Sequence, residues 1–118
     1  MAVTDDQSVK VLIWNYHDFL VPTESTPIQL KVKLPPGFDR KVNVTHYRID
    51  DTHSNTYAKW LELGSPQNPS PQMLTKLKAA MELEILQPDK LIDITDGQAG
   101  LDFDLPRFGL SLIILKKY

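Results

Sequence analysis

Two histidines, two aspartates and an arginine crowd the stretch HYRIDDTH, from His46 to His53. Imidazole and carboxylate are donors that divalent metals accept, and they are also natural partners for arginine in a hydrogen-bond network. The spacing, H-x3-D-D-x-H, matches no standard zinc or iron signature. More commonly, such a run is a strand end whose polar side chains bind one another and the adjoining loop backbone. His46, Arg48, Asp50, His53 and Asn55 are therefore expected to form a structural network holding no metal. Arg48 supplies five donors in a planar fork, and Asp50 or Asp51 is the apt acceptor. Tyr57 and Trp60, on a following helix, are expected to cap it.

Other chemistries find less support. Paired carboxylate catalysis needs one acid of raised pKa at a fixed distance from its partner. Asp50 and Asp51 are adjacent, so on an extended chain they point apart. Asp102 and Asp104 share the solvent face of an alternating strand. No nucleophile elbow accompanies the serines, and the 5 glycines are scattered, so no phosphate-cradling loop exists. Asn43-Val44-Thr45 is a glycosylation sequon, but it falls mid-strand and is discounted. No catalytic residue, metal ligand or cofactor is assigned. Trp14, Tyr16, Tyr57 and Trp60 remain. Exposed rings could stack on sugar faces, with Trp14, Tyr57 and Trp60 the candidates for substrate binding; core or interface packing is the commoner use of such residues.

The elements that position these residues read as mostly strands. Val9–Tyr16 is apolar on both faces, as is Phe108–Leu115, so the two are expected as neighbours at the centre of a sheet. His17-Asp18 ends the first of them, and a loop lies between Pro22 and Pro27. Ile28–Leu34 alternates apolar with Gln29, Lys31 and Lys33, the half-buried antiparallel pattern. Pro35-Pro36-Gly37 is a turn. Arg40–Ile49 puts Val42 and Val44 on one face and Tyr47 and Ile49 on the other; either a bulge or two covered faces would explain it.

A helical insertion is expected over residues 50–86. Its first helix is capped by Ser54 or Asn55 and stopped by Gly64; its second has Ser70 as cap and Pro71 at the first position. Leu74, Leu77 and Met81 form one stripe on the second helix, read as core packing. Leu91–Thr95, the turn Asp96-Gly97, and Ala99–Leu105 follow. Residues 1–8 are expected to be frayed. With no alternation of strand and helix, the fold class is mainly β, an antiparallel β-sandwich with a two-helix insertion, in one domain over residues 1–118.

The chain has 118 residues, a hydrophobic fraction of 42% and a formal charge of -2. Basic and acidic residues are interspersed, so nucleic acid is not expected as a partner. The longest apolar run, Leu110–Leu115, is far short of a membrane span. Cysteine is absent and no signal peptide is visible; a cytoplasmic location is the expectation.

Four stretches carry a family resemblance: VLIWNYHD (Val11–Asp18), THYRIDDTHSNTYAKW (Thr45–Trp60), LGSPQNPSP (Leu63–Pro71) and LPRFGLSL (Leu105–Leu112). In this order and spacing they resemble the C-terminal part of the β-xylosidases of glycoside hydrolase family 39, and more distantly its α-L-iduronidases. The resemblance implies an accessory β-sandwich attached to a (β/α)8 barrel that holds both catalytic glutamates of a retaining enzyme. A barrel takes about 250 residues and cannot fit here. No Asn-Glu-Pro motif occurs, so no catalytic role transfers to any position. What the resemblance implies for this chain is a structural role, with the parent's barrel or another subunit as partner and a parent that hydrolyses β-1,4-xylosides. The rival is an autonomous carbohydrate-binding module that takes xylo-oligosaccharide. A third possibility is a free-standing interaction protein without a barrel.

Overall fold

The computed structural model describes residues 1–16 and 24–118. The strand end at His17-Asp18 and the loop beginning at Pro22 lie outside them. Among the described residues seven strands and two helices follow in the order β1 (Ala2–Thr4), β2 (Ser8–Trp14), β3 (Thr26–Lys33), β4 (Lys41–Ile49), α1 (Thr56–Glu62), α2 (Pro71–Ala79), β5 (Glu84–Asp93), β6 (Gln98–Leu105) and β7 (Leu110–Lys117). Five strands form one antiparallel sheet, ordered β1-β2-β7-β4-β5, and β3 with β6 forms a second. The fold is an antiparallel β-sandwich with both helices inserted between β4 and β5, as the sequence pattern predicts.

The doubly apolar strands β2 and β7 are neighbours, paired from Ser8–Lys116 to Trp14–Leu110, and β7 is the middle strand of its sheet. Their inward residues Val9, Val11, Ile113 and Leu115 meet Val42 and Val44 of β4 and Val32, Ala99 and Leu101 of the smaller sheet. Alternation in β3 and β6 supplies that second layer, since only one face of each is apolar.

Strand β4 settles the face question left open by its sequence. It runs in straight register with β7 from Val42 to Ile49. The irregularity lies in its other partner, where the register slips twice: Leu86 falls between the partners of His46 and Tyr47, and Pro88-Asp89 stand opposite the single residue Thr45. The inward face of β4 is thus Val42, Val44, His46 and Arg48, all buried, while Tyr47 and Ile49 sit on the outer face.

Three expectations are corrected. The N-terminus is not frayed at residues 2–4, which pair with Thr4 opposite Val9 and Ala2 opposite Val11. The Asp5 carboxylate holds that hairpin closed: it accepts from Gln7 N (2.8 Å), Ser8 N (2.7 Å), Ser8 Oγ (2.9 Å) and Lys10 Nζ (3.1 Å). Those bonds, the Gln7 amide first, hold Asp5 far below the usual carboxylate range. Second, the strand expected over Leu91–Thr95 begins at Glu84. Third, the apolar stripe of α2 is not core. Neither helix buries a residue, and Leu74 is 44% and Met81 70% exposed. The two helices pack on each other and project as an arm, so the molecule measures 54 × 33 × 20 Å with a radius of gyration of 17.3 Å, against about 13 Å for a compact chain of this length.

Candidate functional site

The polar cluster sits at the base of that arm, where β4 leaves the sandwich. Its buried half begins with cross-strand geometry. Arg48 lies opposite Ser111 of β7, and His46 stands two residues before it on the same inward face. Arg48 Nε donates to Ser111 Oγ at 3.1 Å, and His46 Nε2 lies 2.8 Å from that same oxygen. The hydroxyl has one proton and two lone pairs, so beside the bond from Arg48 it either donates to His46 Nε2 or accepts from it, according to the imidazole tautomer. Burial in the first place, then the charges of Arg48 and Lys90, lowers the His46 pKa to about 4. That keeps the ring neutral and able to accept. The Phe103 ring packs edge-on against it, centroids 4.7 Å apart.

The outer half of the cluster turns on Arg48 and Asp50. Arg48 Nη2 donates to the Asp104 carbonyl (2.9 Å) and Nη1 to Asp50 Oδ2 (3.4 Å), with the side chains only 4% and 5% exposed. Asp50 Oδ1 also accepts from Thr52 N (2.9 Å), Thr52 Oγ1 (3.2 Å) and His53 Nδ1 (2.8 Å). Burial alone would raise the Asp50 pKa; the bonds from His53 and Thr52 outweigh it and hold the group below 3.8. Asp51, the other acceptor considered, stands exposed.

Asn55 joins this cluster to α1. Its Nδ2 donates to the Asp50 carbonyl (3.1 Å), while its Oδ1 accepts from Ala58 N (3.0 Å) as the helix cap. Ser54, the other candidate cap, is instead a strut. It adopts a positive φ of 52°, donates to Arg48 O (2.9 Å) and accepts from Glu84 N (2.7 Å), tying the start of β5 to the end of β4. Asn55→Ala removes a cap and a loop clamp together. It is expected to destabilise the chain by about 1–2 kcal/mol and to weaken the helical circular-dichroism signal; a melt superimposable on wild type would contradict this.

All five residues singled out from the sequence, His46, Arg48, Asp50, His53 and Asn55, thus meet in one connected set. Ser111 was missed. A lone hydroxyl in the apolar run LSLIIL was its only signal, and only the β4–β7 register puts it beside Arg48. Tyr57 and Trp60 do not cap the set. They stack on each other (centroids 5.8 Å, planes 25° apart), and Trp60 Nε1 donates to Pro66 O at 3.0 Å. Trp14, Tyr16 and Tyr57 are 58%, 73% and 65% exposed, so none is core. Trp14 ends β2. Tyr16 meets Phe108 edge-on at 6.3 Å.

Within the cluster the polar groups are bonded to one another. Ser111 is fully buried, and the His53 Nδ1 proton is committed to Asp50. Asp102 and Asp104 are exposed. Among the described residues no three His, Cys, Asp or Glu side chains converge as a metal would require, and no helix is long and apolar enough to cross a membrane.

The class is therefore an antiparallel β-sandwich with a helical arm braced at its base by buried polar groups. The sequence model of "Glycosyl hydrolases family 39" matches residues 3–91, and the chain belongs to that family. Solved structures of similar fold include the GH39 enzyme of Xanthomonas axonopodis pv. citri (TM-score 0.81, 17% identity), which covers 99% of this chain and 25% of that one. A monomeric β-xylosidase of Caulobacter crescentus CB15 gives a TM-score of 0.75 at 19% identity, over 98% of this chain and 25% of that one. A bacterial orthologue of human α-L-iduronidase gives 0.74 at 20% identity, over 95% and 20%. The chain spans about a quarter of the length of these enzymes or less.

Proposed function

We propose that this chain is the accessory β-sandwich of a family 39 β-xylosidase-like enzyme, non-catalytic by itself, with a structural role toward a (β/α)8 catalytic barrel or another subunit. The observation that carries this reading is the match of almost the whole chain to only about a quarter of such enzymes. The projecting arm supports it. Tyr57, Leu61, Leu74 and Met81 are all exposed, and an apolar helix pair that its own domain leaves uncovered is suited to packing on another body. His46, Arg48, Asp50, His53 and Asn55 then fix the angle at which the arm leaves the sandwich. The parent enzyme would act on β-1,4-xylosides, and the lack of cysteine suits a cytoplasmic setting.

The purified chain, given an aryl β-xyloside, is expected to release no more phenol than buffer does. Turnover above that background, abolished by a point change within this chain, would overturn the reading.

The stack of exposed Tyr57 on half-buried Trp60 favours a second role, a carbohydrate-binding module with these rings and Trp14 as platform. Titration with xylo-oligosaccharide followed by tryptophan fluorescence separates the two. A saturable change lost in Tyr57→Ala supports sugar binding; a flat response supports the structural role.

A further inference from the structure

The sandwich is lopsided, five strands over two. Among the described residues strand β3 pairs only with β6, and its other side borders an apolar groove of about 500 Å³ between the sheets. The groove floor is Val9 and Val11 of β2 with Ala2 and Thr4, the small inward residues of β1, and its wall is β3 itself.

Backbone geometry makes that wall an acceptor for another strand. In an antiparallel pair, successive residues point their N–H and C=O groups to alternate sides. Leu34 N donates to Gly97 O at 2.9 Å, toward the β6 side. Leu30 and Val32 therefore also point to β6, while Gln29, Lys31 and Lys33 point to the open side. Pro27, which has no N–H to offer, falls on the open side too, where its lack of a donor disturbs no ladder bond.

We propose that β3 accepts an extended strand from a partner polypeptide, one in which apolar residues alternate with acidic ones. The apolar positions would fill the groove. The acidic positions would share the outer face with Lys31 and Lys33, which stand opposite Gly100 and Gln98 in β6 and take part in no ion pair among the described residues. A second copy of β3 fits poorly, because it would set lysine against lysine, and like charges across strands repel. Three quarters of the length of the matched family 39 enzymes lies outside the region this chain covers, so such enzymes have chain to supply the strand. The edge offers its donors to any segment of that chemistry, whether or not the accessory reading holds.

The test uses the 118-residue chain and three synthetic heptapeptides: alternating valine and glutamate, the same with lysine for glutamate, and the glutamate peptide with alternate amides methylated. Amide exchange is followed by NMR. The glutamate peptide is expected to slow exchange at Gln29, Lys31 and Lys33 about tenfold, leave Leu30 and Val32 unchanged, and lose its effect on methylation. In the double variant Lys31→Glu/Lys33→Glu, whose substituted side chains face solvent, the lysine peptide is expected to take over. Unchanged exchange at all three amides with every peptide would overturn the proposal. So would equal protection by the methylated peptide, or equal protection by both charge types.

Discussion

Asp50→Ala is expected to lower the melting temperature of this chain by about 10 °C or more. The substitution removes four hydrogen bonds at once, from Arg48, Thr52 N, Thr52 Oγ1 and His53. The larger cost lies in what stays behind. Arg48 is 4% exposed and carries a guanidinium charge. Removing one member of a buried pair costs about 3–5 kcal/mol, because the other is left without compensation. Arg48 retains Ser111 Oγ and the Asp104 carbonyl, which argues for the lower end, about 3 kcal/mol. At this chain length each kcal/mol shifts the midpoint by about 3–5 °C. Asp50→Asn keeps the shape and some acceptors and should fall between. A chelator should leave the wild-type melt where it is. A melt of Asp50→Ala indistinguishable from wild type, or a drop on adding chelator, would refute the metal-free brace.

Acid should weaken the chain well above the pH at which its carboxylates protonate. His46 is held neutral by burial and by Arg48, with its pKa lowered to about 4 from 6.5. Between those values the unfolded chain binds a proton that the folded chain refuses, so stability rises with pH across the window. It is fully present above about pH 6.5, is lost as pH falls toward 4, and changes no further on this account below that. The full loss amounts to about 3 kcal/mol, and about 2 kcal/mol of it falls between pH 7 and pH 5. Asp5, Asp50 and Glu62 act in the same direction but at lower pH. Their lowered pKa values contribute stability that is lost only as pH drops below their ordinary values near 4. Urea unfolding at pH 7 and pH 5 separates the two ranges. In His46→Leu the ring is gone while Arg48 still holds Ser111, and the difference between the two pH values should shrink by most of that amount. An unchanged slope in the variant would assign the acid sensitivity elsewhere.

Sequence periodicity made most of the sandwich legible. Ile28, Leu30, Val32 and Leu34 declare a one-sided strand through strict alternation, and β6 repeats it with Leu101, Phe103 and Leu105. Capping chemistry located both helices, since Ser70-Pro71 and Asn55 satisfy amides that a helix start leaves open. Strand β5 was legible only at its end. Pro88, Asp89 and Lys90 break any period of two, and they are tolerated because the strand is an edge that bulges around them. The α2 stripe shows a different limit. Amphipathicity states that Leu74 and Met81 want cover, but not that the cover belongs to the same domain. The cluster was read from residue types alone, and its hidden member Ser111 depended on a pairing register that composition does not encode.

The bulges of β5 bear on how the free chain behaves in concentrated solution. A sheet polymerises when a long, flat outer strand offers its backbone to the next molecule. Here the larger sheet ends on one side in three residues, Ala2–Thr4, and on the other in a strand twisted by two register slips and interrupted by Pro88. Neither margin presents the straight row of donors and acceptors on which a fibril could grow. Released from any partner, with its arm uncovered, the chain would clump through side chains before it would template fibres through that sheet.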